Sequence, residues 1–74
     1  MKYFLIRYER HTGVLKGLEE FESGEGDRAL QARFALERAS DGSDDVEIAL
    51  LGAESLDDLK VTHSRYFQVA AAHV

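Results

Sequence analysis

The segment VTHSRYF, residues 61–67, places a histidine, a serine, an arginine and a tyrosine at four consecutive positions. In enzymes such side chains act as general bases, nucleophiles, anion-binding cations and proton donors. A nucleophile needs its base within hydrogen-bond reach, so the chemistry depends on the backbone that carries both. In a helix, neighbours such as His63 and Ser64 point about 100° apart and do not face each other. The segment therefore predicts no nucleophile–base pair and no catalytic residue.

His63 and Tyr66 are the two residues of this segment that could form a binding site. If residues 56–72 form one helix, both belong to a core-facing stripe about 100° wide. The stripe consists of Leu56, Leu59, His63, Tyr66, Phe67 and Ala70. The simpler interpretation is a packed histidine that is hydrogen-bonded to a backbone carbonyl or to Tyr66. The alternative is a pH-sensitive ligand contact in a groove between helix and sheet.

The charge of the chain bears on its partners. Fourteen acidic residues against nine basic ones give a formal net charge of −5, which repels phosphate at long range and argues against nucleic-acid binding. Arg65 is expected to pair with Asp58 or Glu54. A local patch for RNA stays a third possibility, and it would consist of Arg28, Arg33 and Arg38.

The composition also limits metals and cofactors. The chain has no cysteine and three histidines, which excludes thiolate zinc sites and argues against a histidine-rich metal site. The loop DGSDD at residues 41–45 alternates Asp41, Ser43 and Asp45, but position 52 is glycine where a calcium loop needs a bidentate acid. We therefore expect no metal and no cofactor.

The same sequence bears on localisation. No apolar run is long enough to span a membrane, and the first residues lack the pattern of a signal peptide. These features predict a small, acidic, soluble cytoplasmic domain without a membrane partner.

Residues 2–10 and 14–22 predict a β-hairpin. The first segment, KYFLIRYER, has aromatic and branched side chains on both faces, which is typical of a central strand. Gly13 suits the positive φ of a three-residue hairpin loop. In the second segment, VLKGLEEFE, Gly17 indicates a β-bulge.

A helix, a third strand and a second helix follow the hairpin. RALQARFALERAS at residues 28–40 is rich in alanine and leucine and predicts a helix. VEIALL at residues 46–51 alternates like a strand, and residues 56–72 predict the second helix. The alanine-rich arc of the first helix suits close packing on a sheet. The remaining arc would meet the second helix or another subunit through Leu30 and Phe34.

The order ββαβα predicts one compact α+β domain of two layers over residues 1–74. A right-handed crossover from the second strand to the third gives a three-stranded antiparallel sheet of order 2-1-3. Both helices are expected on one face of this sheet. The other face would stay open and form a dimer surface that includes Tyr3, Leu5, Leu15, Ala49 and Leu51.

Segments near both ends carry a resemblance. They consist of Arg7, Tyr8, Arg10, Thr12 and Gly13, and of Thr62, His63, Arg65, Tyr66 and Phe67. Over residues 3–67 the sequence resembles short uncharacterised actinobacterial proteins that begin with an RY-R-TG hairpin and end near a TH-RYF segment. The resemblance implies a recurring compact fold and carries over no activity and no catalytic residue.

We therefore predict a small non-enzymatic protein-interaction domain that acts as a homodimer. A chain of 74 residues builds a small core, and self-association remains as an aid once disulfides and metals are set aside. The alternative is a small ligand-binding or enzymatic domain that uses His63 and Tyr66 in a groove between helix and sheet. That function needs a pocket of about 300 Å³ or more with convergent polar groups.

Overall fold

The computed structural model describes residues 1–40 and 45–68, and these form an α+β fold. Strands β1 (Lys2–Glu9), β2 (Val14–Phe21) and β3 (Val46–Ala53) make one antiparallel sheet in the order β2-β1-β3. The fold class and the strand order predicted from the sequence are therefore confirmed.

Helical segments connect and follow the strands. Helix α1 (Gly26–Ala39) joins β2 to β3, and helix α2 (Leu56–Thr62) follows β3. Short 3₁₀ turns at Ser23–Glu25 and Ser64–Phe67 precede α1 and follow α2. Within the described chain, neither helix has the length and apolar character needed to cross a membrane.

The hairpin between β1 and β2 has the predicted positive φ and bulge, but its loop has four residues, 10–13, where three were predicted. Gly13 has a φ of 73°, in the left-handed region that glycine adopts without steric cost. Farther along the hairpin the register shifts between Arg7 and Tyr8, where Gly17 faces Arg7. Lys16 is the extra residue on β2 at this point, so the β-bulge that Gly17 indicated is confirmed.

One face of the sheet is covered by α1. Leu5 of β1 and Phe21 of β2 are buried there against Ala29 of α1. Ala32 and Leu36, on the same side of the helix, pack against this cluster and are partly buried. The small alanine side chains let the helix lie close on the strands, as the sequence predicted.

The opposite face is covered by α2 and the 3₁₀ turn that follows it. Phe4 and Ile6 alternate with Leu5 along β1, so they point to the other side of the sheet. Both are fully buried in a cluster with Leu59 of α2 and Tyr66 of the 3₁₀ turn.

The predicted placement of both helices on one face is therefore corrected. In the described chain α1 and α2 lie on opposite faces, and the sheet is the middle of three layers. The physical reason lies in β1, which has large apolar side chains on both faces. Each large apolar side chain that is buried stabilises the fold by about 1.5–3 kcal/mol, so covering both faces is favourable.

The five residues predicted to form an open dimer surface are divided between the two faces. Tyr3 and Leu5 pack in the cluster beneath α1. Leu15, Ala49 and Leu51 pack against the cluster beneath α2. These residues do not form one exposed surface, so a homodimer, which stays a prediction, needs a different contact.

Candidate functional site

The polar residues of the VTHSRYF segment meet the sheet at a glutamate of β3. Glu47 lies opposite Tyr8 in the β1–β3 register, on the face that α2 covers. The 3₁₀ turn after α2 carries Arg65 and Tyr66 to this end of the sheet. Together with Arg10 these residues form what we term the Glu47 cluster, which consists of Tyr8, Arg10, Glu47, Arg65 and Tyr66.

Both carboxylate oxygens of Glu47 have partners. Oε2 accepts a hydrogen bond of 2.6 Å from the Tyr66 hydroxyl and one of 2.7 Å from Arg65 Nη2. Arg65 Nη2 also donates to the Tyr66 hydroxyl, at 2.7 Å. Arg10 Nε lies 3.6 Å from Oε1. The carboxylate is therefore engaged by two guanidinium groups and a phenol.

Aromatic contacts enclose the same cluster. The rings of Tyr8 and Tyr66 meet edge to face, with centroids 5.1 Å apart and planes at 84°. The Arg65 guanidinium carbon lies 4.2 Å from the centroid of the Tyr66 ring and 5.6 Å from that of Tyr8. A guanidinium within about 6 Å of an aromatic face is attracted by the ring quadrupole. The cluster thus anchors the 3₁₀ turn to β1 and β3.

The contacts determine the protonation states of the cluster. The hydrogen bond from Tyr66, helped by Arg65 and Arg10, holds the pKa of Glu47 below its usual range, although partial burial acts in the opposite direction. Burial raises the pKa of the Tyr66 phenol, and the hydrogen bond to Glu47 raises it further. The hydrogen bond to Glu47 also raises the pKa of Arg65. Around neutral pH Glu47 is ionised and Tyr66 is protonated, whereas a general acid or base needs a pKa near the working pH.

His63 lies at the junction between α2 and the 3₁₀ turn. Its backbone leaves the helical region, with φ −127° and ψ 48°, so α2 ends at Thr62 and does not continue as the predicted helix over 56–72. The His63 N–H donates to the Leu59 carbonyl at 2.8 Å, and ring Nδ1 lies 2.9 Å from Thr62 Oγ1. Across the described residues, no hydrogen bond joins the side chains of His63 and Tyr66.

The change of helix type also explains the partner of Arg65. A 3₁₀ turn has about three residues per turn, so side chains after Thr62 depart from the directions of a continuous α-helix. Arg65 therefore reaches Glu47, and the prediction of Asp58 or Glu54 as its partner is wrong. Leu56, Leu59, Tyr66 and Phe67 of the predicted stripe do pack on the sheet. Ala70 lies outside the described residues.

Glu47 is the member of the cluster that sequence reasoning missed. In VEIALL the glutamate shares one strand face with Ala49 and Leu51, which both pack in the core. A charged residue on the buried face of a strand needs a partner, because an unpaired buried charge is costly. The alternation in VEIALL therefore indicated that Glu47 needs a partner. It does not identify which basic residue of the chain provides that partner.

A metal site and an arginine patch were the other two possibilities that the sequence raised. Within residues 1–40 and 45–68, no group of three or more histidine, aspartate or glutamate residues is placed to hold a metal ion. The first four residues of the DGSDD loop, 41–44, lie outside the described residues. In the arginine segment, Arg28 pairs with Glu25 at 2.6 Å and Arg33 pairs with Glu37 at 3.3 Å.

Comparison with known proteins gives no match to a protein family, to a curated protein or to a solved structure. The resemblance to short actinobacterial proteins therefore stays a prediction.

Proposed function

We propose that this protein is a small non-enzymatic protein-interaction domain that forms a homodimer through helix α1. The observation that carries the proposal is the exposure of Leu30 and Phe34, which are 39% and 41% accessible. α2 packs on the opposite face of the sheet, so it does not cover them. Two large apolar side chains one turn apart on a helix are typical of a helix–helix contact.

The charges beside this pair favour a second copy of the same helix. Asp27 and Arg38 lie within about 80° of Leu30 and Phe34 around the helix axis, near its two ends. In the part of the chain that the structure describes, neither Asp27 nor Arg38 has an ion-pair partner. The helix thus presents an acid, two apolar side chains and a base in sequence along one side.

This order is self-complementary when two helices pack antiparallel. A twofold axis near the middle of α1 would place Leu30 of one copy against Phe34 of the other. The same axis would bring Asp27 of each copy towards Arg38 of the other, which an isologous dimer requires. One helix per subunit provides a small interface, so we expect a dissociation constant in the micromolar range.

The Glu47 cluster supports the non-enzymatic part of the proposal. The Tyr66 hydroxyl is already bonded to Glu47, and the carboxylate accepts hydrogen bonds from Tyr66 and Arg65 and lies 3.6 Å from Arg10. The alternative, a ligand or catalytic site at His63 and Tyr66, has weaker support. Neither residue lines the grooves of about 350 and 360 Å³ found elsewhere on the surface.

Sedimentation across the micromolar range tests the dimer. The unmodified chain is expected to shift from monomer to dimer as its concentration rises. Phe34→Glu is expected to stay monomeric, because it would bring two carboxylates into the apolar contact. Val61→Glu is the matched control, since Val61 is an exposed apolar residue of α2, at 77% accessibility, and lies outside the proposed interface.

A charge exchange tests the antiparallel arrangement. Asp27→Arg alone should weaken the dimer, and adding Arg38→Asp should restore it, because the pairing across the twofold axis is then reversed in sign. A chain that is monomeric at every concentration overturns the homodimer. Dimers that Phe34→Glu leaves intact overturn the assignment of the contact to α1.

A further inference from the structure

A groove separates α1 from the outer part of the β1–β2 hairpin. It consists of two adjoining cavities of about 360 and 270 Å³ that share Arg7 and Leu36. The larger is also lined by Leu5, Gly17, Leu18 and Glu19. The smaller is also lined by Lys16, Ala39, Ser40 and Val46. The two together lie in the size range of small-molecule sites, about 300–1,000 Å³.

The β-bulge places two cations in this groove. Because Lys16 is the extra residue on β2, it lines the groove beside Arg7. Gly17 faces Arg7 across the strands, and a Cβ atom added to Gly17 would lie 3.6 Å from Arg7 Nε. The Arg7 side chain therefore passes over the backbone at Gly17, within van der Waals distance of the position of a Cβ atom.

In the described chain, neither cation lies within 4 Å of a carboxylate oxygen. Within residues 1–40 and 45–68, Arg7 and Lys16 have no ion-pair or hydrogen-bond partner for their side chains. By contrast, Lys2, Arg33 and Arg65 each lie within 4 Å of a carboxylate. Arg7 and Lys16 line one cavity together with Leu36, Ala39 and Val46, on a chain with a net charge of −5.

We propose that this groove binds a free small carboxylate that carries an apolar chain. The carboxylate would lie between Arg7 and Lys16, since a guanidinium binds both carboxylate oxygens and a lysine adds a compact charge. The apolar chain would lie along Leu36 and Leu5, whose side chains face this side of the sheet. Glu19 at the other end of the groove disfavours a second negative group there, so the site selects a monoanion.

The site is independent of the proposed homodimer. Leu36 and Ala39 face the groove, whereas Leu30 and Phe34 lie on a different side of α1. A ligand in the groove would leave the dimer contact open, and a monomeric chain would retain the groove. If the homodimer is not observed, the ligand site can still be present, and the reverse also holds.

Amide chemical shifts measured by NMR during a titration with octanoate, below its micellar concentration, test the site. Octanoate is expected to shift the amides of Gly17, Ser40 and Val46. Arg7→Gln and Lys16→Gln are each expected to weaken binding about tenfold, the loss expected for about 1.4 kcal/mol. Arg28→Gln is the matched control and should bind as the unmodified chain does, because Arg28 pairs with Glu25 and does not line the groove.

Titrations with acetate and with octanol measure the contributions of the carboxylate and of the apolar chain separately. Both should bind more weakly than octanoate, because each provides only the charge or only the chain. Equal binding of octanol and octanoate overturns the role of the cations, and no shift with octanoate overturns the site. Binding of an acidic peptide where octanoate fails would assign the groove to a protein partner and also overturn the proposal.

The Lys16→Gln substitution lies at an irregular point of an edge strand and is expected to fold. It therefore keeps the test valid if Arg7→Gln fails to fold.

Discussion

The hydroxyl of Tyr66 donates a hydrogen bond of 2.6 Å to Oε2 of Glu47, a residue 19 positions earlier in the chain. The bond connects the turn after α2 to β3. It also makes a carboxylate on the core face of the strand compatible with its apolar neighbours. Tyr66 is only 4% accessible, so the phenol has little water available as a substitute partner.

Tyr66→Phe removes the donor and keeps the ring. We expect the free energy of unfolding to fall by about 1.5 kcal/mol, because a hydrogen bond to a charged group contributes about 1.5–3 kcal/mol. Urea denaturation measures the change. Tyr3→Phe is the control, since the Tyr3 hydroxyl has no hydrogen-bond partner in the described chain, and it should change stability by less than about 0.5 kcal/mol. Equal losses in the two variants would contradict the role of the bond.

Acid should weaken the fold through Glu47. The pKa of Glu47 is lower in the folded chain than in the unfolded chain, because Tyr66, Arg65 and Arg10 stabilise the carboxylate. The unfolded state therefore takes up protons first, at about pH 4.3, and the stability from Glu47 is lost as pH falls from there through the lower folded pKa.

Denaturation of the unmodified chain and Glu47→Gln at a series of pH values measures this effect. Glu47→Gln should be less stable at neutral pH and should lose less stability on acidification. Glu54→Gln is the control, because Glu54 forms only an exposed ion pair with the N-terminal amine, 3.7 Å away. Parallel pH profiles for the unmodified chain and Glu47→Gln would show that Glu47 has no such effect.

Alkaline pH should destabilise the fold through ionisation of Tyr66. Its pKa is raised in the folded chain by burial and by the hydrogen bond to Glu47, so the folded state holds the phenol proton more tightly than the unfolded state. The contribution is complete below about pH 10 and is lost as pH rises through the higher folded pKa. Phenolate absorbance should show one of the three tyrosines ionising late, and Tyr66→Phe should remove that step. A late step that persists in Tyr66→Phe would assign it to another tyrosine.

Gly13→Ala should destabilise the hairpin. Gly13 has a φ of 73°, and an L-residue with a Cβ atom loses roughly 1–2 kcal/mol in that region. Thermal denaturation compares it with Gly24→Ala, where a new Cβ atom meets nothing within 4 Å and φ is not in the left-handed region. Gly24→Ala should be neutral or slightly stabilising, so a loss as large as that of Gly13→Ala would contradict the argument from φ.

The elements of the fold were largely predictable because they depend on local patterns. The apolar residues on both faces of β1 indicated a central strand, and the structure has β1 between β2 and β3. Gly13 and Gly17 indicated the turn and the bulge, since each reflects a backbone requirement of a few residues. The alanine-rich arc of α1 predicted which side of that helix lies on the sheet.

The arrangement around Glu47 was not predictable in the same way. A continuous helix over residues 56–72 would direct the Arg65 side chain away from Glu47. The sequence pattern does not reveal that α2 ends at Thr62, so the predicted direction of Arg65 was wrong. The partner of Arg65 is 18 positions away in the chain and becomes a neighbour only when the 3₁₀ turn lies on β3. His63 and Tyr66 both belonged to the predicted core-facing stripe, and they are partly and fully buried, but their side chains bond to different partners.

By itself, the sequence determined the strands, the hairpin turn, the bulge and the strand order, since these follow from side-chain alternation, glycine positions and short connections. Only the tertiary structure decided that α1 and α2 cover opposite faces and that Arg65 and Tyr66 of the VTHSRYF segment bond to Glu47. The physical reason is that burial is not directional: an apolar face indicates that it must be covered, but not which segment covers it. Hydrogen bonds are directional, yet their partners are selected only after that packing has brought distant residues together.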